Sequence, residues 1–253
     1  MTYKNLVIYI CRKLGFYPTK LINKKQTFEL IQLLRPIDNG VELIRIGPTG
    51  DGGYLLPNDF GKSEICFSPG VSNNWGFEKD LYEKTGISSV MYDGSVNAPA
   101  DLTENHKFIK KFIGSSTYDD YISITDILST ELKEYRNIIG QIDIEGFEYD
   151  LLSTISIRDL AKFNIIVCEF HECERWIQSR YYSEIILPMF TKIFSMFDLV
   201  HYHPNTVGGK FKFKGNTMAK VVELTFHRKN NFKTTAKFRK LPHPLDSDNS
   251  INL

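Results

Sequence analysis

The stretch Ile138-Ile139-Gly140-Gln141-Ile142-Asp143-Ile144-Glu145-Gly146-Phe147-Glu148 decides how this chain is read. An apolar run of strand length stops at two carboxylates set one residue apart, and a glycine and a helical pattern follow at once. Positions two apart in an extended chain point to one side, so Asp143 and Glu145 leave the run together. The construction recurs twice: Ile165 to Cys168 is followed by Glu169 and His171, and the run Phe197 to Tyr202 carries His201 and, just past it, His203. Strands of one parallel sheet end at a common crevice, which is where open α/β sheets bind ligands.

Working outward, strands and helices alternate. Ile65–Phe67, Ser89–Tyr92 and Phe108–Ile113 read as strands, with Phe77–Thr85 as a helix; Ile124–Tyr135 and Glu148–Leu152 read as helices on either side of the deciding strand. That alternation predicts parallel pairing with right-handed crossovers. Phe197–Tyr202 and Ala219–Phe226 are separated by a Gly-rich, basic and aromatic segment and read as a hairpin. The antiparallel strand then falls between Glu169 and His201 and sets that histidine farther off. The expected class is α/β, a Rossmann-like sheet of seven strands, mostly parallel with a C-terminal antiparallel hairpin, plus N-terminal helices. Leu43 to Leu56, with Gly47, Gly50, Gly52 and Gly53 around Asp51, reads as a turn-rich lead into it.

With 253 residues, 42% of them hydrophobic, the chain is sized for one large core. It divides into a helical extension over 1–42, a domain over 43–228 and a polar, basic tail over 229–253. Lys and Arg total 31 against 30 Asp and Glu, so the field is nearly neutral and nucleic acid is not expected as a partner. Cys11, Cys66, Cys168 and Cys173 show neither zinc spacing nor a disulfide pattern, which fits buried thiols in a reducing, cytoplasmic setting. Leu6, Val7, Ile10 and Leu14 have helical spacing and Thr27–Leu34 adds a second helix, flanked by Lys4, Arg12, Lys13, Lys20, Lys24 and Lys25. Such a basic amphipathic start packs on the domain itself or lies on the inner face of an anionic membrane.

Ser68-Pro69-Gly70-Val71-Ser72-Asn73-Asn74 follows the first strand, and Asp93-Gly94-Ser95 follows the second. Gly70 permits close approach of a ligand, and a carboxylate about 20 residues beyond such a glycine accepts from ribose hydroxyls. The loop lacks the three glycines of a pyrophosphate binder and the Gly-Lys-Ser/Thr cradle. A nucleoside without a diphosphate fits better, and S-adenosylmethionine is one. Glu78, Phe77 and Trp75 are near enough for its cationic end, although helix packing explains them equally well.

Asp143-Ile144-Glu145-Gly146-Phe147-Glu148 resembles the Asp-x-Glu-Gly-x-Glu signature of FkbM-type methyltransferases. Asp51-Gly52-Gly53-Tyr54 is similar to a motif ahead of the first strand in methyltransferase-like proteins, as are His201-x-His203 with Asn205 and the run Pro242-x-Pro244-Leu245-Asp246. The resemblance spans 43 to 250 as dispersed motifs. It implies a methyltransferase sheet, S-adenosylmethionine as donor, and a hydroxyl acceptor on a sugar, glycan or natural product. Glu169-Phe170-His171-Glu172 and the double histidine depart from simpler members. Donor contacts are then expected from Gly52, Gly53, Gly70, Asn73, Glu78, Asp93, Gly94, Ser95 and Asp143, and catalytic groups from Asp143, His171, His201 and His203.

Methyl transfer to an alcohol needs its proton removed, by a general base or through a divalent cation that acidifies the hydroxyl. Adjacent strands lie about 4.8 Å apart, so Asp143, Glu145, Glu169 and His171 can share an ion, with His201 reaching in through its loop. One imidazole among oxygens suits magnesium, manganese or iron; a second moves the choice toward zinc or iron. Three readings compete with this. Asp143 and Glu145 cap the following helix; the site serves a metal-dependent glycan hydrolase or lyase; or the fold is a non-catalytic glycan-binding module. Lys210-Phe211-Lys212-Phe213-Lys214 is either a platform for an anionic acceptor or an ordinary hairpin arm.

Overall fold

The structure is a computed structural model that describes residues 18–229 and 237–249, together with Leu6, Tyr9, Ile10, Cys11 and Lys13. Apart from those five, the helix expected over 1–14 lies outside the described residues, as do 230–236 and 250–253 of the tail. None of the described helices is long and apolar enough to cross a membrane.

The main sheet holds seven strands, numbered here within it: β1 Ile65–Pro69, β2 Ser89–Tyr92, β3 His106–Ile109, β4 Ile138–Ile142, β5 Phe163–Phe170, β6 Phe197–Phe213 and β7 Asn216–Arg228. Their order is β3-β2-β1-β4-β5-β7-β6. β1 to β5 pair in parallel, and β7 runs antiparallel to both neighbours, inserted between β5 and β6 as the hairpin reading expects. β1 pairs with β2 on one side and β4 on the other, so the chain order reverses between β1 and β4 and opens a crevice at their carboxyl ends.

Every residue of β1, β2, β4 and β5 is buried, because both faces of the sheet are covered. Alternate residues serve opposite cores, as a period of two requires. Phe67, Ile142, Ile166 and Cys168 join one cluster with Phe170, Trp176 and Phe190; Cys66, Ile139, Ile165 and Val167 join the other with Tyr54, Phe77 and Leu81. Cys66, Cys168 and Cys173 are buried free thiols.

Several local expectations change. The Leu43 to Leu56 segment is an antiparallel hairpin, Leu43–Ile46 with Tyr54–Pro57, rather than a run of turns. A Cβ on Gly53 would fall 1.9 Å from the Pro48 carbonyl oxygen, so its turn closes only with glycine. The expected strand Phe108–Ile113 is two: β3 ends at Ile109, and Phe112–Gly114 pairs separately with Tyr121–Ser123. The helix begun at Ile124 stops at Ser129 rather than Tyr135. β6 continues to Phe213 with a bulge between Asn205 and Lys210, and the hairpin turns at Lys214-Gly215, both with positive φ. Phe213 is buried and Lys214 Nζ donates to the Ile22 carbonyl at 2.8 Å, which makes the Lys-Phe run a docked hairpin arm.

Described segments from the N-terminal and C-terminal parts of the chain meet. Helix Lys24–Leu33, with Asn23 and Gln26 forming a capping box, lies beside Ile22 and buries Leu30. Ile37–Asp38 pairs antiparallel with Lys237–Phe238. The boundaries drawn at 42 and 229 therefore run between segments that pack on one another.

Candidate active site

β1 and β4 end in direct backbone contact. Gly70 has φ +88°, and a Cβ there would lie 1.4 Å from the Asp143 carbonyl oxygen, so the protein's own backbone demands this glycine. Beyond Asp143 the chain turns through Glu145 (φ +52°) and Gly146 (φ +104°) into helix Glu148–Thr154. Glu148, fully buried, organises that turn: its Oε1 accepts from the Ile144 amide at 3.2 Å and the Gly146 amide at 3.0 Å. The competing reading of Asp143 and Glu145 as helix caps does not apply: no side chain caps this helix, Glu148 ties down the turn before it, and Asp143 and Glu145 face the crevice.

The same Glu148 Oε1 lies 3.0 Å from His171 Nδ1. His171 Nε2 stands 3.5 Å from Glu145, 3.8 Å from Glu169 and 3.9 Å from Asp143. Tyr54, delivered by the hairpin over the sheet, places its hydroxyl 3.4 Å from Asp143 Oδ2 and 3.3 Å from Glu169 Oε2, one proton between two carboxylates. Asn205 Nδ2 donates to Glu169 Oε1 at 2.9 Å. Burial, with the neighbouring Glu169 charge adding, pushes the Asp143 carboxyl up to about 8. Burial raises Glu169 as well. Burial alone would lower His171, but its bond to Glu148 and the surrounding carboxylates push it up to about 9. Burial and mutual repulsion thus disfavour full ionisation of the acids, and the acids in turn favour a charged His171.

Asp143 also faces a cavity of about 530 Å³ at the carboxyl ends of the parallel strands. Gly70, Asp93, Gly94, Ser95 and Asp143, all expected as donor contacts, line it together, and Asp51, Tyr92, Phe112, Tyr121, Glu145 and Phe147 complete much of the wall. Asp93 Oδ2 accepts from the Ser72 amide at 2.8 Å, and Oδ1 from the Ser95 amide and hydroxyl at 2.8 and 2.6 Å. An ionised carboxylate offers about four lone-pair sites, so one remains for a ligand. The Tyr92 hydroxyl, buried in a residue of the wall, has no partner among the described residues.

Four expected donor contacts lie elsewhere. Gly52 and Gly53 shape the turn that presents Asp51 and Tyr54, and Asn73 lines a neighbouring groove. Glu78 lies on the buried side of its helix, bonded to Ser68 Oγ and pushed up to about 7 by burial. Helical position alone does not tell which side of a strand end an acid faces.

His201 and His203 do not join the carboxylates. His203, Glu223 and Glu169 form one cross-strand row, which puts His203 about 10 Å from Glu169 at about 4.8 Å per strand. Both histidines are held by the tail: His201 Nε2 to Asp246 Oδ1 at 2.9 Å, His203 Nε2 to Asn249 Oδ1 at 3.2 Å, and Asn249 Nδ2 to Glu223 Oε1 at 2.8 Å. The expectation that His201 ligates a metal or acts with His203 on the acceptor is corrected here: His201 is 2% exposed and its Nε2 is already bound. The missed residues Tyr54, Asn205 and Asp246 each sit in a motif that the sequence singled out, and Glu148 closes the deciding one.

Ligand-type atoms of Asp143, Glu145 and His171 all lie within 4.8 Å of one another, the set of this kind found among the described residues. The donor set fits a divalent cation. Glu148 on Nδ1 leaves Nε2 of a neutral His171 bare, the carboxylate-histidine support that metal sites use. Glu169 stands at its edge, and His201 is excluded.

No family model and no curated protein matches this sequence. Among solved structures there is a likeness to a Streptococcus pneumoniae protein provisionally named a tRNA (m1A22) methyltransferase, with 12% identity over 69% of this chain and 68% of that one; its TM-score of 0.34 is too low to carry any argument.

Proposed function

We propose that this protein is an S-adenosylmethionine-dependent methyltransferase acting on a hydroxyl of a sugar or glycan. The observation that carries the reading is the double placement of Asp143, in the wall of a nucleoside-sized cavity and at the edge of a buried acid-imidazole cluster. The strand order with its inserted antiparallel strand is the arrangement that the FkbM-type resemblance implies. The wall chemistry suits the donor: Asp93 has a free acceptor site for a ribose hydroxyl, the rings of Phe112 and Tyr121 offer an aromatic surface, and Asp51, Asp143 and Glu145 face a cation. S-adenosylmethionine supplies an activated methyl group, so the protein's share is alignment and proton removal.

Asp143, in its ionised form, is the proposed proton acceptor: burial and the Glu169 charge make that carboxylate more basic than a free one. His171 and the Tyr54 hydroxyl, which donates to it, orient the carboxylate. A divalent cation held by Asp143, Glu145 and His171 would supply the alternative means, lowering the pKa of the acceptor hydroxyl.

Mass spectrometry of a panel of mono- and oligosaccharides, incubated with protein and S-adenosylmethionine, with and without chelator, tests this. Gain of one methyl supports the assignment, and its loss with chelator assigns the cation. A folded protein that methylates RNA or protein and no sugar overturns the substrate class.

A further inference from the structure

We infer that helix Lys24–Leu33 and the segment around Lys237–Leu241 together form a docking face for an anionic lipid bilayer. Helix Lys24–Leu33 buries Leu30 and turns Phe28 and Ile31 outward, 64% and 45% exposed. Lys24, Phe28 and Ile31 share one helix face by their spacing. Alongside runs the tail strand Lys237–Phe238, where Phe238 is 53% exposed and the Arg35 guanidinium lies 3.5 Å from its ring centroid. Ile31, Phe238 and Leu241 line one groove with Arg35 and Arg239, so apolar groups from both segments form a continuous patch. Scattered single exposures would need no explanation; a contiguous patch does.

The rim of the patch is basic although the whole chain carries only +1. Two acids beside it are engaged, Glu29 with Lys25 at 3.8 Å and Asp38 with Arg239 at 3.2 Å. Lys24, Arg35, Lys237 and Lys240 make no ion pair among the described residues and are exposed. Apolar side chains ringed by long cationic ones match a bilayer interface, where the former enter the acyl boundary and the latter stay among anionic headgroups. A nucleic acid would use the cations but offers little to Ile31 and Leu241.

Co-sedimentation of the full chain with vesicles of phosphatidylcholine alone, or mixed with phosphatidylserine, is the test. The expected result is binding to the mixed vesicles only, weakened by salt and by about fivefold for each lysine removed in Lys237→Glu with Lys240→Glu. Phe28→Asp with Phe238→Asp should lower it by about tenfold or more. All four side chains are exposed, so an unchanged melting temperature shows that the variants fold. Four results overturn the proposal: no binding to mixed vesicles, equal binding to neutral ones, binding that both variants leave untouched, or a patch that these variants show to serve an oligonucleotide or a second copy of the chain instead. Methyl transfer to a soluble acceptor would be unaffected, so this inference and the proposed function fail separately.

Discussion

Glu148 Oε1 lies 3.0 Å from His171 Nδ1 while also accepting the Ile144 and Gly146 amides, so one buried carboxylate fixes both the turn after β4 and the ring beyond β5. An N–H on Nδ1 leaves Nε2, the atom that faces Asp143 and Glu145, as the acceptor of a neutral ring.

Glu148→Gln keeps the shape but can turn an N–H toward Nδ1, which favours the opposite tautomer. Nitrogen NMR of the His171 ring, recorded above about pH 9 where the ring is neutral, should show the proton moved to Nε2, and calorimetry should show manganese affinity reduced about 10- to 100-fold. Unchanged affinity would remove Glu148 from the site.

Gly70→Ala should be among the most damaging single changes in the chain. The added methyl would overlap the Asp143 carbonyl at a φ of +88°, combining left-handed strain with overpacking for a cost of about 3 kcal/mol or more. Urea denaturation measures it; a loss below about 1 kcal/mol would mean that the two strand ends are not in contact.

Asp93→Ala removes the acceptor that joins the Ser72 and Ser95 amides at the cavity wall. Bonds to a charged acceptor contribute about 1.5–3 kcal/mol, so the Kd for S-adenosylmethionine should rise by about 10- to 100-fold. Asp93→Asn, which keeps one acceptor oxygen, should lie between. Equal affinities for all three proteins would place the ribose elsewhere.

The tail clasp should be pH-dependent. Burial alone would lower the His203 pKa, but its bond to Asp246 and the nearby Glu223 charge raise it. A raised histidine contributes its full stability below the unfolded value of about 6.5 and loses it as pH rises through the folded value. Asp246 is held low: burial opposes this, but bonds from His201 and His203 prevail, so its contribution holds above about pH 4 and is lost only in strong acid. The melting-temperature advantage of wild type over His203→Gln should therefore be largest near pH 5.5 and shrink through neutrality. Glu223, pushed up to about 7 by burial and held back by the His203 charge, titrates with it, so the same comparison in a Glu223→Gln background isolates the Asp246 contact. An advantage that grows with pH would contradict the clasp.

What the sequence revealed follows from the range of each interaction. The strand ends were legible because apolar runs terminate at charged residues, and Gly70, Asp93, Gly94, Ser95 and Asp143 do converge on one cavity since parallel strands end on one edge. The histidine pair misled because its partners come from the tail: Asp246 is 45 residues from His201, and nothing local in Tyr202 or His203 marks that closure. Tyr54 is likewise 89 residues from Asp143 and arrives only once the hairpin folds over the sheet. Glu78 was misplaced because its helix turns that side inward against Ser68.

The central claim is that the cavity ending at Asp143 takes a methyl donor. Calorimetric titration of the purified chain with S-adenosylmethionine, repeated on Asp93→Ala, tests it most directly. Wild type should show one saturable site, displaced by S-adenosylhomocysteine and weakened by the substitution; a folded wild-type protein with no saturable binding would contradict donor binding in this cavity.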